Sequence, residues 1–468
     1  MIDNPFLEID RQIVGDIYTS AELMDNLVVL CDEIGSRFAG SLMEQQAAEF
    51  MKSKLESYGY TNVLLDPVKY SGWRRGDTTL EITSPINKRI PCITLPHSPA
   101  VDFTGQIVDV GEGAPDDFNK SAADIAGNIV LTTSHTYPSG SKRWIHRNEK
   151  YGRSLLAGAR GFIFVNHYPG YGPATGGIGY DDPRSGAALI PGISISMEDG
   201  AFIQRLLHRH GQVEIHLRST DVNEQVESWN VIAELPGKQD PDSIVMLGCH
   251  YDGHDIAQGA ADPASGTVAL LEAARVLAKY AADLPVTIRF ALWSAEEIGL
   301  IGSTQYVQRY GGELDNIRFY LNMDMAGAID QKDIVLNEWP DLAIMFENWS
   351  EEMVINFGVG QSINAHSDHY PFMLAGVPTG GIGSLRTSTG GRGYGHTMYD
   401  TVDKVEMRGM REAAALAARL ALRMASGEQW PVKRRSQEEI RAILDSPDYR
   451  EEAELSERVN SFYQEHSA

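Results

Sequence analysis

The stretch "GCHYDGHDIAQGAADPASG", residues 248–266, places His250, Asp252, His254, Asp255 and Asp262 between an apolar run and a segment of helical periodicity. Imidazole nitrogens and carboxylate oxygens, with no thiolate pair among them, suit zinc or another divalent ion of that borderline class. One loop of this composition carries little weight, because Asp and His are common in solvated turns. Its recurrence carries more. "VTIRFALWSAEE" ends on Glu296 and Glu297, "IRFYLNMD" ends on Asp324, and "VPTGGIGS" is followed by "GYGHTMYDTVD" with His396. Each group comes after a strand-like run, where ligand sites of open α/β sheets lie.

Even five ligands drawn from these groups would exceed what one open catalytic site needs. They suit two ions sharing a bridging carboxylate, with positions left for water and substrate; ions about 3.5–4 Å apart can clamp a nucleophile and a polarised carbonyl together. The side chains of adjacent Glu296 and Glu297 diverge at a strand end, so one can bind metal while the other holds the attacking water.

The elements that must position these groups are legible as an alternation. Strand-like "SIVMLGC" precedes helix-like "SGTVALLEAARVLAKYAAD", "VTIRFALW" precedes "GLIGSTQYVQRYG", and "IRFYLNMDM" precedes "DLAIMFENWSEEMVINFG". Buried-looking strands alternating with helices predict an α/β layer structure with a mostly parallel central sheet flanked by helices. "HSDHYPFMLAG", "VPTGGIGS" and the Ala-rich "MRGMREAAALAARLALRMASG" complete it. Four regions follow: residues 1–85, an N-terminal part of the same domain with two helices and two strands; 86–220, a smaller β-rich module of short runs between Gly, Pro and Asp turns; 221–430, the domain carrying the ligands; and 431–468, a charged helical tail expected to be a solvated appendage.

Composition narrows the setting. The chain has 468 residues, 43% hydrophobic and 22% charged, with 45 glycines, which describes a globular protein large enough for two domains. A formal charge of -24 argues against nonspecific binding to nucleic acid or anionic membrane. Cys31, Cys92 and Cys249 are far apart and form no CxxC pair, and the N-terminal stretch lacks a basic and an apolar signal region. A reducing, cytoplasmic setting is therefore expected. Homodimer formation is left open.

"ESWNVIAELPG", "GCHYDGHD" through "GAADPASG", "FALWSAEEIGLIGS", "NMDM", "SDHYPFMLAGVP" and "GHTMYDTVDKV" resemble, in order and approximate spacing, the M28 family of zinc peptidases, aminopeptidase Y type. "GNIVLTT", "LLAGARGFIFVNH" and "IPGISIS" resemble the protease-associated (PA) domain often inserted in that family. The resemblance implies a zinc-dependent exopeptidase fold and a dizinc metallo-exopeptidase, an aminopeptidase acting on peptides. It implies His250 and Asp324 on one zinc, Glu297 and His396 on the other, Asp262 bridging, and Glu296 as general base toward metal-bound water. Asp252 would accept a hydrogen bond from the His250 imidazole. Cobalt or manganese could replace zinc. His254 and Asp255 match no ligand position and read as loop or substrate-rim residues.

Two departures from the family pattern matter. Pro263 follows the bridging aspartate, which predicts a cis Asp262–Pro263 bond, cheap before proline at about 0.5–1 kcal/mol. Tyr does not directly precede His396, leaving Tyr394 as a weak substitute. Tyr370, Phe372, Gly383 and Arg386 are candidates for a specificity pocket or for plain packing. Rival readings are a carboxypeptidase or dipeptidase of the same family, a one-zinc glutaminyl-cyclase-like enzyme and a non-catalytic scaffold.

Overall fold

The computed structural model describes residues 4–466 other than 140, 142, 180–187, 282, 386–392 and 428–429. Its central sheet has eight strands in the order Leu64–Arg74, Val222–Leu235, Val286–Trp293, Asp240–His250, Ile317–Asn322, Thr379–Gly383, Asp333–Leu336 and Val359–Gln361. The third to the sixth of these run parallel, and antiparallel pairings flank them on both sides. The parallel strands read as near-continuous apolar runs because helices cover both their faces. Ile288, Phe290 and Leu292 point to one side, into a cluster with the helices Ser265–Tyr280 and Met407–Ser426. Ala291 and Trp293 point to the other, toward Tyr306 and Phe372 on the helices Ile301–Arg309 and His369–Leu374.

The helix Ser265–Tyr280 is apolar almost all round and is correspondingly buried. Ala-rich Met407–Ser426, built of strong helix formers, packs directly against it. Gly266 opens the first of these two helices with no side chain, and a Cβ there would collide with the Asp324 carbonyl. The loop that ends on Asp262 is thereby brought against the strand end that carries Asp324.

The second sheet is inserted between two neighbouring strands of the first, since Leu64–Arg74 and Val222–Leu235 pair antiparallel on either side of it in sequence. Its parallel core is Val101–Asp109, Ile129–Thr133, Gly161–Val165 and Gly192–Ile195. Thr78–Ser84, which sequence patterning put ahead of the module, pairs with Glu214–Ser219 inside this sheet.

The charged tail differs from the solvated appendage expected of it. Its last helix, Arg450–His466, buries Leu455, Val459 and Tyr463 in one cluster with Val110, Phe118, Tyr151 and Phe162 of the inserted module. The spacing of four between those residues makes one apolar stripe, too narrow to stand out against the Glu and Arg around it. No helix among the described residues is long and apolar enough to cross a membrane, and all three cysteines are free thiols.

Candidate metal centre

His250 closes the strand Asp240–His250, Glu296 and Glu297 stand just past Val286–Trp293, and Asp324 stands just past Ile317–Asn322. These neighbouring parallel strands carry their side chains to one edge. His250 Nε2 lies 3.2 Å from Asp324 Oδ1 and 3.4 Å from Asp262 Oδ1. His396 Nε2 lies 3.3 Å from Asp262 Oδ2 and 3.3 Å from Glu297 Oε2. The five groups named from the sequence thus converge, and the two oxygens of Asp262 face different histidines. Asp262–Pro263 is cis.

The donor set fits divalent ions. A tetrahedral ion with bonds of about 2.0–2.1 Å spaces its ligand atoms about 3.3–3.4 Å apart, which is the separation found within each group. Charge points the same way. Burial pushes Glu297 up to about 7, with the Asp262 charge adding to the rise, and burial pushes Glu296 well above the ordinary carboxylate range. Asp262 is held well below that range, because contacts with His250 and His396 outweigh its burial. So many buried carboxylates in one place are a site for cations.

Around these groups the backbone is held by carboxylates. Asp252 Oδ1 accepts from Glu296 N at 2.9 Å and Oδ2 from Glu297 N at 3.1 Å. Asp252 also stays beside His250, whose Nδ1 lies 3.1 Å from the Asp252 backbone carbonyl and 3.6 Å from its carboxylate, so one side chain serves both the imidazole and the Glu296–Glu297 turn. Asp400 does the same for Asp262, accepting from Ala261 N at 2.6 Å and Asp262 N at 3.1 Å. Ser367 Oγ donates to Asp324 Oδ2 at 2.8 Å and takes a bond from Asn322.

Two further contacts were not foreseen. His254, read from sequence as a loop or rim residue, has Nε2 2.9 Å from Glu297 Oε2 and 3.2 Å from His396 Nδ1, so it belongs to the site. Its spacing of four from His250 was the available signal. His396, at φ 61°, is gripped by the inserted module: Thr175 N donates to its carbonyl at 2.8 Å and its Nδ1 lies 3.1 Å from Thr175 O. A proton on Nδ1 directed at that carbonyl leaves Nε2 free for a metal. Thr175 lies about two hundred residues upstream in an unpatterned loop, where no sequence rule could find it.

The other candidates divide. Asp255 makes a two-pronged pair with Arg75, at 2.7 and 2.8 Å. Phe372 is core, packed on Trp293, Tyr306 and Tyr320. Gly383 ends a strand that pairs with Asp333, Tyr394 stacks on Tyr171 of the module, and Tyr370 lines the cleft. Arg386 lies outside the described residues.

Glu44, fully buried, receives bonds from Gly40 N at 2.6 Å and from Ser228 Oγ, and the Ala295 backbone donates to it beside the Asp252 cradle. Burial, then the Asp252 charge, pushes it up to about 8. A carboxyl raised when folded binds its proton more tightly in the native state, so its contribution to stability is full below the unfolded pKa near 4.5 and is lost as pH rises through 8. Glu44→Gln cannot ionise. Between pH 5 and 9 the wild type should lose on the order of a few kcal/mol relative to this variant, read by denaturant unfolding at both pH values. Parallel pH profiles would show that Glu44 does not titrate in this way.

A mixed α/β sheet that gathers imidazoles and carboxylates at the carboxyl ends of its parallel strands, beneath an inserted module, marks a candidate metal-dependent enzyme. The peptidase family M28 profile matches residues 230–421 and the PA domain profile matches residues 103–203. Carboxypeptidase Q of Homo sapiens is 26% identical over 411 residues, covering 86% of this chain and 85% of its own length. The probable leucine aminopeptidase 2 of Aspergillus oryzae is 26% identical over 360 residues, covering 74% of this chain and 68% of its own. Among solved structures, a peptidase M28 precursor from Shewanella amazonensis superposes with a TM-score of 0.78 at 25% identity, covering 92% of this chain and 98% of the other. A zinc aminopeptidase from Bacillus subtilis shares the fold, with a TM-score of 0.67 at 24% identity over 87% of this chain and 95% of that one. The chain carries a region matching peptidase family M28 and an inserted PA domain, and is a zinc metallopeptidase.

Proposed function

We propose that the chain is a dizinc exopeptidase that releases the N-terminal residue of short peptides. The observation that carries the two-ion reading is the Asp262 carboxylate, with one oxygen 3.4 Å from His250 and the other 3.3 Å from His396. His250, Asp324 and the first oxygen would hold one ion; Glu297, His396 and the second oxygen would hold the other. Bound there, such ions would polarise the scissile carbonyl and acidify the attacking water; cobalt or manganese could act as zinc does. Glu296 lines the same cleft as Asp262, Glu297, Asp324 and His396. It would take the proton of the attacking water and return it to the leaving amine as the peptide C–N bond breaks. Asp252 and Asp400 are positioning residues, and His254 would orient Glu297.

A second reading, release of the C-terminal residue or cleavage of dipeptides, is favoured by the likeness to carboxypeptidase Q along most of both chains. Digestion of a peptide library, each sequence with a free and with an acetylated N-terminus, separates the two beside a Glu296→Ala control. Stepwise loss from free N-termini alone is expected. Loss from the C-termini of acetylated peptides would overturn the aminopeptidase assignment. Elemental analysis should find two zinc ions per wild-type chain and fewer in Asp262→Asn; a single ion in the wild type would overturn the two-ion reading.

A further inference from the structure

The cleft above the metal ligands has three walls. One is the peptidase domain, through Glu296 to Ile301. The second is the inserted module, through His97, His146 and Gly177 to Gly179. The third is the C-terminal segment, through Leu444, Tyr449, Glu452, Ala453, Ser456 and Tyr463.

Its attachment is unusually complete. Arg435 N donates to Gly376 O at 2.8 Å, and the Arg435 guanidinium lies 3.7 Å from the centre of the Trp339 ring, which straps the start of the segment to the peptidase domain. Tyr449 OH donates to Glu338 Oε1 at 2.6 Å and accepts from Ile363 N at 3.3 Å. The helix Arg450–His466 then crosses to the module, where Glu451 pairs with Arg153 at 2.7 Å and Arg143 at 3.1 Å. Tyr463 OH reaches the Leu189 backbone at 3.4 Å. Between these anchors, Glu452 pairs with His366 at 3.2 Å, and the His366 ring stacks at 3.6 Å on His146 of the module. The helix is fixed at both ends and spans the gap between the two units.

We infer that this helix is the distal wall of the substrate cleft and sets the length of peptide that can reach the metal ligands. This rests on the exopeptidase reading above and adds its specificity. Ala453 and Ser456 are small, half-buried and one helical turn apart, so they face the cleft together. A dipeptide need not extend as far as that surface. Each residue added beyond the scissile bond extends the chain by about 3.3–3.6 Å and drives it toward the helix.

The test is a ladder of peptides that share one N-terminal dipeptide and grow by one residue at a time. It is assayed with wild type, Ala453→Trp, Ser456→Trp and the outward-facing control Glu454→Trp. Wild-type kcat/KM should fall as the peptide lengthens. The two cleft-facing variants should lose a further factor of about ten or more on the longer peptides, each measured against its own dipeptide rate, with the thermal midpoint kept, and the control should match wild type. Equal losses at every length, or no loss at any, would overturn the inference. Failure of the exopeptidase reading shows separately, as no turnover of any peptide by wild type. In that case binding of the same ladder to the wild-type and tryptophan proteins, by calorimetry, still decides: length-dependent weakening in the two variants supports the wall, and length-independent binding or none overturns it.

Discussion

Glu296→Gln will cut kcat by about 10² to 10⁴ while leaving metal content and fold unchanged. Glutamine keeps the shape of the side chain, and the backbone N–H of this residue stays on Asp252 at 2.9 Å. What disappears is the proton acceptor proposed above. Burial pushes Glu296 well above the usual carboxylate range, with His250 opposing and Glu297 and Asp324 reinforcing the rise. A carboxyl that lines the cleft beside the candidate ligands is placed to take a proton and return it. Steady-state assays paired with elemental analysis check the expectation. A variant that keeps wild-type kcat would remove Glu296 as general base, and one that loses its metal would make it a ligand.

Arg37→Met has the second large effect, and it acts through stability. The Arg37 side chain is fully buried and donates to five carbonyls: Leu30 at 3.0 Å, and Gly35, Tyr251, Gln258 and Gly259 at 2.8 Å each. Three of those carbonyls belong to the loop between His250 and Asp262. Methionine fills much of the volume and satisfies none of them, so the expected loss is about 3–5 kcal/mol. Because the loop carries Asp262, metal affinity should fall about 10- to 100-fold as well. Denaturant unfolding and zinc titration measure the two effects. Wild-type values in both would mean that water or a relaxed loop replaces the guanidinium.

How far the sequence spoke depended on the range of each interaction. Strands such as Val286–Trp293 and the helix Ser265–Tyr280 follow from local apolar patterning, and the placement of His250, Glu296, Glu297 and Asp324 follows from strand ends. Groups that work through backbone contacts left no local trace. Arg37 is a lone cation in "GSRFAGS", and Asp400 sits inside "GHTMYDTVD" with nothing to say that it holds the amides of Ala261 and Asp262. His254 was legible as a metal-compatible type but not as a neighbour of Glu297, because that contact joins two loops. The tail misled for a different reason: a three-residue apolar stripe is weak evidence until the surface that receives it is known.

The grip of Thr175 on His396 has a consequence for the order in which the molecule is made. Thr175 leaves the ribosome long before His396, and Arg37 earlier still, whereas the strand carrying Thr379–Gly383 and the loop beyond it emerge late. The strands of the module are therefore made while the second group still lacks its histidine, and the residues that finish the module's apolar cluster, Leu455, Val459 and Tyr463, follow His396. A growing chain therefore lacks the full set of donors until His396 has emerged to meet Asp262 and Glu297.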